Sequence, residues 1–182
     1  MRYAAGRSTA GPRRRQNPGQ APARRRRRRP GGPVRTVTAA IDIDASPMAV
    51  WAVLADLGRY PEWNPRIREG TGEVAAGSRL TLKVYDPGRL PVTIHPLVLA
   101  AEPGVEWRSV GGIPGIVGRL IFSGEHRVAL APAGEGTRLV RSETFRGILV
   151  PFLGKALSAA EASFREQNEA LKNRVEAGRR ET

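Results

Sequence analysis

Cysteine is absent from the 182 residues, so disulfides and thiolate metal sites are excluded. That suits a reducing cytoplasm, the location expected for the chain. Histidine is scarce. His95 and His126 are the only two. They fall in different strand segments, and no close carboxylate cluster completes a ligand set, so no metal is expected. The longest apolar runs fall far short of the roughly 20 residues that span a bilayer. Gly-x-Gly-x-x-Gly, the P-loop and Gly-x-Ser-x-Gly are all missing. Nothing therefore supports a nucleotide cofactor or nucleophile-elbow hydrolysis, and no cofactor is expected.

Acidic residues are absent from the whole N-terminal segment. Residues 1–35 hold twelve arginines and no Asp or Glu. The rest of the chain holds eighteen Lys and Arg against seventeen Asp and Glu, so the formal net charge of +13 belongs to a tail and the remainder is nearly neutral. The tail is Arg, Pro, Gly and Ala with few large apolar side chains, and Arg24 to Arg29 is unbroken. Such a segment buries too little to offset its ordering entropy and reads as disordered. No apolar stretch follows it, so it is not a secretory signal. Three readings of it stay open. It contacts nucleic-acid phosphates or anionic lipid through counterion release. It is a solvated extension without a partner. Or it is upstream sequence of a GC-rich genome, with the true start near Val34 or Val37. Nucleic acid is not an expected partner of any other part.

The expected organisation is a tail at 1–35, one domain at 36–178 and a short tail at 179–182. Residues 36–44 alternate as a half-buried strand, with Val37, Ala39, Ile41 and Ile43 on one face. Ser46 and Pro47 form an N-cap and first helical position. Val50, Val53, Leu54 and Leu57 follow at helical spacing, and Gly58 ends that short helix. Tyr60 to Pro65 is a tight aromatic connection. Antiparallel strands are predicted over 78–85, 92–101 (perturbed at Pro96), 105–108, 117–131 and 137–146, with a flexible loop at Gly111 to Gly115. A long helix over about 151–177 carries Leu153, Leu157, Ala160, Phe164, Asn168, Leu171 and Val175 on one face, and Gly178 is its expected stop. One twisted antiparallel sheet packed on that helix is the economical α+β solution.

Several strings carry a resemblance: Ile43-Asp44-Ala45-Ser46-Pro47 with Val50-Trp51, Tyr60-Pro61-Glu62-Trp63-Asn64-Pro65, Gly124-Glu125-His126, Glu143-Thr144-Phe145-Arg146-Gly147, and Phe164 to Lys172. Together they resemble the START-like or SRPBCC superfamily, in its polyketide cyclase/dehydrase-like branch, over essentially all of 36–177. The resemblance implies a helix-grip fold: an antiparallel sheet wrapped around a long C-terminal helix, with two short helices after the first strand. It also implies a hydrophobic cavity for lipids, sterols, polyketides or other aromatics. It does not imply catalysis, because fold does not fix function.

Alternation gives a sharper local reading. His126 shares a face with Leu120, Phe122, Val128 and Leu130, and Arg141 and Glu143 share one with Leu139 and Phe145. If the two strands form a hairpin, His126, Arg141 and Glu143 point inward, and Asn168 approaches from the helix. Buried charges must be paired or face water. Three explanations stay open: a polar anchor for an apolar ligand, a His126–Glu143 acid/base pair for enolisation or dehydration, or an Arg141–Glu143 ion pair closing the interior. A bulge near Gly124 or Gly147 would reverse the facing. Trp107, Phe122, Phe145 and Phe164 are candidate walls that core packing alone would also require. Trp51 reads as core and Trp63 as a packing plug. The expected function is binding of a hydrophobic or aromatic small molecule, with a cyclase, aromatase or dehydratase as the alternative.

Overall fold

The computed structural model describes residues 33–112 and 122–180, with side chains as far as Gly178. The arginine-rich segment up to Gly32, the glycine loop beyond Gly112 and the start of the strand expected from 117 lie outside them.

Strand β1 (Val34–Ile43) buries Val37, Ala39 and Ile43 and exposes Thr36, Thr38 and Asp42, following its alternation. Helix α1 (Pro47–Ala55) starts as its sequence requires. Ser46 Oγ accepts from the Ala49 N–H at 3.3 Å, and Pro47 takes the first position, where no N–H is needed. α1 stops at Ala55, before Gly58, and a 3₁₀ turn (Leu57–Arg59) leads into a single helical turn, α2 (Tyr60–Trp63). The aromatic connection is thus partly helical, because Pro61 sits in the first turn, where proline is tolerated.

The strands divide between two sheets rather than one. Strands β5 (Leu97–Glu102), β6 (Glu106–Gly112), β7 (Ser123–Ala133) and β8 (Gly136–Arg146) join β1 in the antiparallel order β1-β8-β7-β6-β5. Strands β2 (Ile67–Thr71), β3 (Thr81–Val84) and β4 (Val92–Ile94) form a smaller sheet. The segment read as one strand over 92–101 breaks at His95-Pro96, so β4 and β5 belong to different sheets. Proline donates no ladder hydrogen bond. Its carbonyl accepts from Leu80 N at 3.0 Å, and Val98 N donates to Ser78 O at 2.9 Å, which stitches the two sheets together.

After a 3₁₀ turn (Val150–Phe152), helix α3 (Gly154–Arg180) packs against β1, α1 and α2. It continues through Gly178, past the expected stop. Its packing is uneven: Phe164, Gln167, Asn168, Leu171 and Val175 are buried, whereas no side chain from Gly154 to Ser163 is. Lys172 Nζ donates to Asp42 O at 2.7 Å, and Asp44 N donates to Glu176 Oε1 at 2.9 Å, which fastens the C-terminal half to the end of β1. The result is the α+β helix-grip arrangement. Two apolar clusters hold it together. The larger gathers Ile43, Val50, Leu54, Leu80, Val128, Leu139 and Leu171; the smaller gathers Val37, Ala39, Phe145, Val150 and Phe164. Each fully buried Leu or Ile contributes roughly 1.5–3 kcal/mol.

Candidate functional site

The β7–β8 hairpin runs in unbroken register from Ser123↔Arg146 to Ala133↔Gly136. No bulge intervenes at Gly124, and the positive-φ Gly147 follows the strand (φ 129°). Facing therefore follows strict alternation. On β8 the inward positions read Leu139, Arg141, Glu143, Phe145. Leu139 belongs to the larger cluster and Phe145 to the smaller. The two charged residues occupy the layer between them.

Sheet register extends that layer sideways. Ala39, Arg141, Val128 and Trp107 form one row across four strands, and Val37, Glu143, His126 and Ser109 form the next. From α3, Asn168 lies between Phe164 of the smaller cluster and Leu171 of the larger. Arg141 Nε donates to Asn168 Oδ1 at 3.0 Å, and Asn168 Nδ2 donates to Ala39 O at 3.4 Å. The guanidinium carbon lies 6.0 Å from the Phe164 ring centroid. His126 packs edge-on to Phe164 at 5.5 Å and to Trp107 at 6.3 Å, and Phe122 stacks on Phe145 at 5.9 Å. All eight residues expected at the site thus belong to one contiguous set.

Of the three explanations left open, the Arg141–Glu143 ion pair is not formed among the described residues. Glu143 Oε2 lies 3.9 Å from His126 Nδ1, and Oε1 lies 2.6 Å from where a Cβ on Gly124 would stand. The carboxylate leans over Gly124, one row beyond its own and away from Arg141. Arg141 is 5% exposed. Burial pushes its pKa below the ordinary value, while Tyr60 and Glu143 pull the other way. Among the described residues its Nη2 has no hydrogen-bond partner, and neither has the buried Trp107 Nε1.

Alternation also implies Gly124 and Ser109, which the strand reading passed over: Gly124 precedes His126 by two, and Ser109 follows Trp107 by two. Tyr60 carried no such signal. It is buried and donates to Leu54 O at 2.8 Å. Burial raises its pKa, with nearby Arg141 opposing. Trp51 is core, as read. Trp63 is half-buried and packs edge-on to Tyr60 at 4.7 Å. A pocket of about 340 Å³ opens between β1 and α3. Its lining includes exposed Thr38, Ala40, Arg165 and Glu169, and it shares Ala39 and Asn168 with the inward layer. Among the described residues no group of three His, Cys, Asp or Glu could hold a metal ion, and no helix is long and apolar enough to cross a membrane.

Residues 34–176 match the family described as polyketide cyclase/dehydrase and lipid transport. The chain belongs to that family. None of the curated proteins matches its sequence. Solved structures of similar fold include a START superfamily protein from Mycobacterium smegmatis (22% identity, TM-score 0.62, covering 78% of this chain and 97% of that one). A second is truncated norcoclaurine synthase from Thalictrum flavum (14%, 0.59, covering 78% and 93%). A third is the di-domain ARO/CYC StfQ from the steffimycin biosynthetic pathway (14%, 0.57), of which the chain covers 50% with 79% of its own length. At such identities these likenesses concern the fold, and the chain matches half of the two-domain StfQ.

Proposed function

We propose that the domain binds an apolar or aromatic small molecule between the five-stranded sheet and α3. The observation that carries this reading is the polar layer. A domain stabilised by burial alone has no use for Arg141, Glu143, His126 and Asn168 between two apolar clusters. Ligand sites, in contrast, combine apolar walls with a few convergent polar groups. Trp107, Phe122, Phe145 and Phe164 supply the walls. The family's description, which includes lipid transport, supports the same reading. The test is saturable binding of the neutral dye Nile red by purified full-length protein, with native mass spectrometry before and after organic extraction. Stoichiometric dye binding and an extractable mass of a few hundred daltons are expected. Neither one appearing would reject the reading.

One observation favours a catalytic variant. His126 and Glu143 face each other in register, 3.9 Å apart, so a substrate between them would meet two groups able to act as acid and base. The reaction class would be cyclisation, aromatisation or dehydration of a polyketide-like substrate. His126→Ala and Glu143→Gln should then abolish turnover and spare binding. Turnover that survives both substitutions removes these residues from the chemistry.

A further inference from the structure

We infer that the ligand carries an acidic oxygen head, a carboxylate or an equally acidic enol or phenol, and that Arg141 Nη2 receives it. This rests on the ligand-binding reading above and narrows it to a chemical class. Arg141 is 5% exposed, so its charge is not solvated as a surface arginine's is. Among the described residues its one hydrogen bond goes from Nε to Asn168 Oδ1 at 3.0 Å, a neutral partner whose amide is itself held by Ala39 O. That bond fixes the plane of the guanidinium and leaves Nη2 without an acceptor. A buried charge whose nearby carboxylate, Glu143, makes no contact with it is unfavourable, and a buried guanidinium is suited to an oxyanion through its fork of donors.

The chain contains a candidate counter-ion and holds it elsewhere. Glu143 is two residues along β8 on the same face, yet its carboxylate leans over Gly124 toward His126. That posture needs a residue without a side chain at 124. The second orphan donor, Trp107 Nε1, lies in the same sheet row as Arg141. Two buried donors here thus lack an acceptor among the described residues, and the complementary ligand supplies one. Glu143 nearby disfavours a second negative charge, so the class is a monoanion with an apolar body.

Matched acid and ester pairs test this in the full chain. The probes are cis-parinaric acid with its methyl ester, and 2-naphthoic acid with its methyl ester, titrated by fluorescence at neutral pH. The acid of at least one pair should bind about tenfold or more tighter than its ester, in keeping with charge-assisted hydrogen bonds. Arg141→Gln should bring the two affinities within about twofold while ester binding persists. Equal affinities in the unmodified protein would overturn the inference and leave the cavity reading intact, and that comparison needs no variant to fold. An acid preference that survives in Arg141→Gln would also overturn it. Binding of neither acid nor ester in both pairs would reject the cavity reading together with the inference.

Discussion

The Arg141–Asn168 contact makes a quantitative prediction about stability. Asn168→Leu keeps approximate side-chain size and removes the acceptor of Arg141 Nε. Nη2 is already without a partner, so the variant leaves a buried guanidinium with two unsatisfied donor positions. Losing a hydrogen bond to a charged group costs about 1.5–3 kcal/mol. The 3.4 Å bond to Ala39 O is long and adds little. The expected loss is about 2 kcal/mol, or a fall in Tm of roughly 4–8 °C for a domain of this size. Arg141→Met removes the buried charge and leaves only a neutral amide unpaired, so it should cost less. The double variant replaces both partners by apolar groups, a change that is often neutral or stabilising. It should therefore lie nearer the unmodified protein than Asn168→Leu does, with a coupling of about 2 kcal/mol between the sites. Urea unfolding followed by fluorescence of Trp51, Trp63 and Trp107 measures all four corners of the cycle. If Asn168→Leu costs less than about 0.5 kcal/mol, or the two effects add within that margin, then Arg141 is not a buried charge held by Asn168.

Two glycines should respond differently to alanine. At Gly136 the new methyl would stand 2.5 Å from the backbone oxygen of Ile43, so β1 or the hairpin must move; a loss of about 1–3 kcal/mol in urea unfolding is expected. At Gly124 it would meet Glu143 Oε1, the end of a flexible side chain, so stability should change by less than about 1 kcal/mol. The displaced carboxylate should instead weaken the acid preference measured with the parinaric pair. An unchanged preference would show that Gly124 does not control Glu143. Tyr60 gives a pH prediction. Its folded pKa is raised by burial, so above the ordinary value of roughly 10 the unfolded chain releases a proton that the folded one keeps. Stability from this residue is complete below that pH and falls by about 1.4 kcal/mol per pH unit above it, until the folded phenol ionises. Tyr60→Phe should remove that slope in urea titrations between pH 9 and about 11.5, and an equal slope in the variant would assign the alkaline loss to other groups.

Most of the inward set was legible because β7 and β8 pair without a bulge. A period of two then fixes which side chains share a face, and His126, Arg141 and Glu143 follow from it. Phe164, Asn168, Leu171 and Val175 followed from helical spacing in the same way. The unread parts depend on tertiary partners. β2 (IREGT) buries only Gly70, so it has no apolar alternation to recognise. The break between β4 and β5 depends on two sheets separating around Pro96. Leu157 and Ala160 lie on the apolar stripe of α3, and Leu153 just before it, yet all three are only half-buried, because the stripe shows which way a helix faces and not how closely anything packs on it.

The absence of the Arg141–Glu143 pair, one of the alternatives left open, is more informative. Two opposite charges at alternate positions of one strand face suggest an ion pair, with Cα atoms only about 7 Å apart. In the structure each charge is turned to a neutral or titratable neighbour: Arg141 to Asn168 on α3, Glu143 to His126 across the strand. Closing the pair would give both the buried Arg141 and the half-buried Glu143 a charged partner. The separation depends on Gly124 having no side chain and on Asn168 holding only Nε. Both features keep the Nη2 donor free of an internal acceptor. On the proposal above, an arrangement that forgoes an available internal counter-charge leaves Arg141 for an external one. For that reason the carboxylate of a ligand, rather than Glu143, is the partner to seek for Arg141.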